Sequence, residues 1–231
     1  MNEQELSMRL AKVGEFVPKG ARLADIGSDH AYLPVSLMLK GQISYAVAGE
    51  VVKGPFESAQ KQVRKNDLSE QIIVRLADGL SAVELSDEIN AITIAGMGGT
   101  LIRSILQAGQ DNQRLTGQER LILQPNVGEK TLREWLMANG YSIMTEEILE
   151  ENKKIYEIIV AEKQPATYTE QELFFGPFLL KEKSPIFIEK WQDELQSRRY
   201  VLGQLEKAEV KPLEKIQAIE KEMQWIQEVL A

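Results

Sequence analysis

Apolar residues recur along the chain in two rhythms. Leu6, Leu10, Val13 and Val17 fall at helical spacing and predict a first helix over residues 3–17, stopped by Pro18-Lys19-Gly20. Short apolar runs then alternate with helical patterns. Strands are expected at 22–26, 43–49, 72–77, 91–95 and 120–123, and helices at 33–40, 54–66, from Gly99 to about Ala108, and at 129–138. This alternation predicts an α/β fold with a doubly wound, mostly parallel sheet. After Gly140 the rhythm changes, and residues 141–149 and 154–161 read as an antiparallel hairpin joined by the charged turn 150–153. Gln164-Pro165-Ala166-Thr167 then loosens the chain, which predicts an α/β domain over 1–163 and a helical domain over 164–231.

In that second domain Gly176-Pro177 and Ser184-Pro185 punctuate a short helical entry. Ile188, Trp191, Leu195, Leu202 and Leu205 mark one long helix, and Ile216, Ile219, Met223, Ile226 and Leu230 another. The spacing of the second set is that of a heptad seam. With Lys211-Pro212 as the connection, an antiparallel coiled-coil arm is expected; Arg198 falls at a seam position and weakens the first pattern. Such an arm suits a buttress, a dimerisation surface or a clamp.

In a doubly wound sheet, ligands bind beyond the C-terminal ends of the strands. Asp25, Glu50, Asp78, Gly96 and Asn126 each fall just after or at the end of an expected strand. Gly27 permits a sharp turn and close approach of a ligand, and the following helix offers free N–H groups at its start. Glu50 follows Gly27 by about 20 residues, where an acidic side chain accepts hydrogen bonds from ribose hydroxyls. The nicotinamide fingerprint needs two further glycines, and Asp29 and Pro34 or its neighbours stand in their place. Asp29 would also set a carboxylate against a pyrophosphate. Asp25, Asp29 and Glu50 suit a phosphate-free cationic nucleoside instead, and S-adenosylmethionine, with its sulfonium, ammonium and ribose, is such a molecule.

The 231 residues, 43% hydrophobic, are enough to bury a full core. With no cysteine and a single histidine, His30, neither a disulfide framework nor a zinc cluster is expected, so no metal is assigned. No basic-then-apolar leader or long apolar run is present, so a cytoplasmic protein with no membrane partner is expected. The net charge of −8 divides as −5 up to Lys163 and −3 beyond it. That balance argues against a nucleic-acid partner, which normally leaves a basic footprint. Two local basic clusters remain, Arg9, Lys12, Lys19 and Arg22 at the N-terminus and Lys53, Lys61, Arg64 and Lys65 on the third helix; a solvated face explains either equally well.

Three motifs carry a family resemblance: Asp25-Ile26-Gly27-Ser28-Asp29-His30-Ala31-Tyr32-Leu33-Pro34, Ala95-Gly96-Met97-Gly98-Gly99 and Gln124-Pro125-Asn126. With the helical tail, they make the whole chain resemble the bacterial tRNA (adenine-22-N1)-methyltransferase family. The resemblance implies a Rossmann-like class I methyltransferase fold, S-adenosylmethionine as methyl donor, and N1 of an adenosine in tRNA as acceptor. It favours the clamp among the roles of the arm and leaves the oligomeric state open, a monomer included.

The resemblance further implies that the Asp25 and Gly27 turn, with Ser28, meets the methionine part of the donor, and that Glu50 meets its ribose. Asp78 with Gly79 would meet the adenine, and Gly96 and Met97 complete the donor surface. Gly96-Met97-Gly98-Gly99 stands where adenine-amino methyltransferases carry an Asp/Asn-Pro-Pro-aromatic motif. That departure has a chemical reason, because ring N1 presents an in-plane lone pair whereas an exocyclic amine must have its own freed. Asp29 is the first candidate to stabilise the developing charge or accept a proton, and His30 can act similarly. Tyr32 is placed to stack on a flipped base, and Asn126 to bond its edge. Each has a structural alternative: a buried cap for Asp25, a plain turn for Asp78-Gly79, a helix-start histidine bonded to backbone for His30, core for Tyr32 and a loop cap for Asn126. Two other functions compete, a methyltransferase of small molecules or proteins, and a non-catalytic nucleoside-binding regulator working through its arm.

Overall fold

The computed structural model describes residues 5–207 and 211–231. Its contacts divide into two compact units, Met1–Tyr168 and Thr169–Ala231. The first unit runs α1 (Met8–Glu15), β1 (Ala21–Ile26), α2 (Tyr32–Leu39), β2 (Ile43–Glu50), α3 (Lys53–Lys65) and β3 (Ile72–Leu76). Two short 3-10 turns, Gly79–Ala82 and Leu85–Asp87, lead to β4 (Ala91–Met97), α4 (Gly99–Asp111), β5 (Arg120–Pro125), α5 (Glu129–Ala138), β6 (Tyr141–Glu151) and β7 (Lys154–Lys163). The sheet order is β3-β2-β1-β4-β5-β7-β6, with β7 antiparallel to both β5 and β6 and every other pairing parallel. This is the expected Rossmann-like sheet closed by a hairpin.

Differences from the sequence reading lie at element ends. The first helix starts at Met8, because the Ser7 hydroxyl caps it by accepting the Leu10 N–H; Glu3, the expected start, lies outside the described residues. The hairpin turn is two residues rather than four: Asn152 and Lys153 both take left-handed backbone, as a type I′ turn requires, so pairing runs on to Glu151 and Lys154. The unit ends at Tyr168 rather than Lys163, since the Tyr168 hydroxyl accepts the Ile143 N–H at 2.8 Å.

Apolar side chains cover both faces of the sheet, with Leu23, Ala46 and Ile122 in one cluster and Ile26, Ile94 and Leu123 in the other. Charged groups lie inside as well. Arg133 on α5 is fully buried; its Nε donates to Glu146 on β6 at 2.7 Å and its Nη2 to Glu157 on β7. Burial opposes the guanidinium charge, but the two carboxylates outweigh it and raise its pKa.

The second unit contains α6 (Glu170–Phe175), α7 (Leu179–Glu182), α8 (Pro185–Leu205) and α9 (Leu213–Leu230). Thr169 and Glu172 form a capping box at α6, and Ser184 caps α8 before Pro185. The two long helices are antiparallel. Lys183, before α8, donates to the Val229 carbonyl near the end of α9, and Arg198 Nε donates to Glu222 at 2.9 Å. Arg198, an interruption in the sequence pattern, is thus an ion-pairing position across the hairpin. Phe175, Phe187 and Trp191 pack as an aromatic core, with ring centroids 4.5 to 6.2 Å apart.

Candidate active site

The site is built from the C-terminal ends of β1, β2, β4 and β5. Asp25, one residue before the end of β1, pairs in register with Ala48 on β2 and Thr93 on β4. Its carboxylate is buried and accepts from the Ser28 hydroxyl and, at 2.6 Å, from the Thr93 hydroxyl. Burial pushes its pKa up, against the pull of the two hydroxyls. Thr93 was missing from the sequence reading. Its only signal there is one hydroxyl inside an apolar strand.

After β1 the chain makes a tight left-handed passage. Gly27 has φ +69°, which favours glycine, and a Cβ on it would come within 2.1 Å of Met97 Cε, so a larger residue would have to displace that methyl. The approach to Gly27 is therefore lined by Met97, another of the expected donor-site residues. Asp29, His30 and Ala31 follow with φ of 40°, 69° and 57°, each strained for a residue with a side chain by about 1–3 kcal/mol. Glu50 holds this passage, because its Oε1 accepts the Asp29 N–H. It is 6% exposed, and burial first, then the nearby carboxylates of Asp25 and Asp29, raises its pKa against the Asp29 N–H bond.

The Asp29 side chain points outward, 71% exposed, with Oδ1 3.5 Å from His30 Nε2. The His30 ring stacks on Tyr32 with centroids 5.3 Å apart and planes 22° off parallel. Tyr32 is half-buried at the start of α2, with its ring against His30.

Across the cleft, β4 bulges between Ala95 and Met97, with Gly96 at φ +79°. Gln124, fully buried on β5, binds the bulge: its Oε1 accepts the Gly96 N–H at 2.9 Å and a bond from Arg9 on α1. The Asn126 amide donates to the Gly96 carbonyl at 2.7 Å, and its backbone N–H to the Met97 carbonyl. Asn126 thus caps the loop, with a second amide hydrogen remaining. Gln124 and Arg9 escaped the sequence reading as site residues, for their meeting joins positions far apart in the chain. Asp78 and Gly79 stand to one side. The Ala77 N–H bonds the Glu50 carbonyl, and Asp78, exposed, lines a cleft of about 380 Å³ with Leu101, Ile105 and Arg114.

The arrangement gathers three carboxylates, Asp25, Asp29 and Glu50, around a glycine turn. Together with the 3-2-1-4-5-7-6 sheet, it defines a class I methyltransferase fold. The family model described as tRNA (adenine(22)-N(1))-methyltransferase matches residues 23–228, so the chain belongs to that family. A Bacillus subtilis tRNA (adenine(22)-N(1))-methyltransferase is 50% identical over 214 residues, covering 90% of this chain and 89% of that protein. The Streptococcus pneumoniae protein Sp1610, solved in complex with S-adenosyl-L-methionine, superposes with a TM-score of 0.90 at 48% identity, covering 98% of this chain and 100% of that one. The Mycoplasma capricolum protein TrmK, solved with S-adenosyl-homocysteine, matches with a TM-score of 0.83 at 28% identity, covering 97% of each chain. Among the described residues no helix is long and apolar enough to cross a membrane, and no group of three or more acidic or histidine side chains could hold a metal ion.

Proposed function

We infer that this chain transfers the methyl group of S-adenosylmethionine to N1 of adenosine 22 in tRNA. The observation that carries the reading is the acidic shelf of Asp25, Asp29 and Glu50 in a member of this family. Such a donor set fits a cationic nucleoside and repels a dinucleotide's phosphates. With tRNA as substrate, the protein works in the cytoplasm.

Bound here, S-adenosylmethionine supplies a sulfonium methyl, whose C–S electrons return to sulfur as the adenosine N1 lone pair bonds the carbon. Asp25, Gly27 and Ser28 receive its methionine part, Glu50 its ribose, Asp78 and Gly79 its adenine, and Gly96 and Met97 line the space between. The chain's main contribution is to hold the reactants in near-attack geometry. Asp29, exposed at the mouth, offers a carboxylate to the positive charge that grows on the adenine ring, with His30 beside it. Tyr32 and His30 present a stacked aromatic pair to the displaced base, and the second amide hydrogen of Asn126 is available to its edge. Asp29→Ala is expected to lower the single-turnover rate about 100-fold with the donor Kd within about threefold. Rapid-quench transfer beside donor titration reads both, and a wild-type rate would remove Asp29 from the chemistry.

The raised carboxylates give a pH dependence of definite sign. A cationic donor favours their ionised forms, so its affinity should fall as acidification protonates Glu50 at its raised pKa. The donor-free protein should do the reverse. A carboxyl whose pKa is raised on folding binds its proton more tightly folded than unfolded, so stability rises as pH falls through the raised pKa towards the ordinary 4.5. Calorimetric titration of the donor from neutral pH down towards the ordinary carboxyl value of 4.5 should show this decline, and Glu50→Gln should flatten it. A pH-independent affinity in the unsubstituted protein would contradict the assignment.

A further inference from the structure

Given the transfer to tRNA inferred above, we propose that Arg9 holds a backbone phosphate of the RNA at the mouth of the site. Asp25, Asp29 and Glu50 make that mouth favourable for a cation but hostile to the phosphates that flank any base reaching into it. A cation must stand close by, and the chain as a whole carries −8.

Arg9 has the position and the spare valence. Its Nη1 is anchored on Gln124 Oε1, the same oxygen that holds the Gly96 N–H, and its guanidinium lies 5.3 Å from the centre of the Tyr156 ring. Arg75, Arg120, Arg133 and Arg198 each pair with a carboxylate. Arg9 pairs with none among the described residues, and its Nε and Nη2 have no protein partner there. Gly96 carries no side chain to cover it, for a Cβ at Gly96 would sit 3.6 Å from Nη1 and 3.9 Å from Nη2. A planar donor fork, fixed at one corner, half-buried and unneutralised, matches a phosphodiester.

Arg9→Ala should raise KM for tRNA about tenfold and leave kcat within about twofold. The slope of log(kcat/KM) against log salt should become shallower by about 0.7 to 0.9, and Arg9→Lys should restore it. A fall in kcat with KM and the salt slope unchanged would overturn the proposal and leave Arg9 as a tether for Gln124. Wild-type values throughout would overturn it equally. Filter binding of tRNA reads the same contact without turnover. A changed binding slope in a protein that yields no methylated product upholds the phosphate contact and rejects the transfer. Methylated product with an unchanged slope rejects the phosphate contact alone.

Discussion

Glu50→Ala is expected to weaken S-adenosylmethionine binding about 100-fold, the equivalent of about 2.7 kcal/mol. Two losses combine in this variant. The proposed ribose bonds to a carboxylate disappear, and the Asp29 N–H loses the acceptor that holds Asp29, His30 and Ala31 in left-handed backbone. Glu50→Gln separates the two, because an amide oxygen still accepts the Asp29 N–H while the charge is gone; about a tenfold loss is expected there. Equilibrium titration of the donor measures both variants. An alanine variant within twofold of the unsubstituted protein would show that Glu50 does not contact the donor.

Arg133→Met should lower the stability of the unit spanning Met1–Tyr168 by about 3–5 kcal/mol, a fall of about 10 °C in its unfolding midpoint. The guanidinium lies between Glu146 and Glu157, whose side chains are 0% and 1% exposed. Its removal takes a positive charge and its hydrogen bonds away from two buried carboxylates. Adding Glu146→Gln and Glu157→Gln to the Met variant should recover most of the loss, since the desolvated charges then vanish together. Denaturant unfolding with a tryptophan probe, Trp135 on the same helix, follows the series. A single variant less than about 1 kcal/mol below the parent would mean that water reaches the pair.

The α/β alternation was legible because the parallel strands are short apolar runs and helices such as α1, α3 and α4 carry a 3.6-residue apolar stripe, signals that are local in sequence. The closing hairpin was legible for the same reason, although the turn residues Asn152 and Lys153 did not reveal the left-handed backbone that shortens it. The 3-10 turns at Gly79–Ala82 and Leu85–Asp87 were not foreseen, because they depend on distant partners. Asp87 there accepts from Arg75 on β3 and from the Tyr45 hydroxyl on β2, so both bonds join residues on separate elements. Burial alone would raise the Asp87 carboxyl, but the Arg75 guanidinium, the Glu84 N–H and the Tyr45 hydroxyl outweigh it and hold it below its ordinary value.

The acidic strand ends were readable from position, since Asp25 lies one residue before the end of an apolar run and Glu50 ends another. Thr93, Gln124 and Arg9 were hidden by their context. Thr93 reads as one more strand residue, Gln124 as the start of a turn, and Arg9 as one charge in a solvated cluster. Their roles arise only when β1, β4, β5 and α1 meet at one edge of the sheet.

The most direct test of the function is to incubate the protein with methyl-labelled S-adenosylmethionine and unmodified tRNA bearing adenosine at position 22, then digest the RNA and separate the nucleosides. The account predicts label in 1-methyladenosine, and none when position 22 carries guanosine. Label in any other nucleoside, or in 1-methyladenosine from the tRNA lacking adenosine 22, would contradict it.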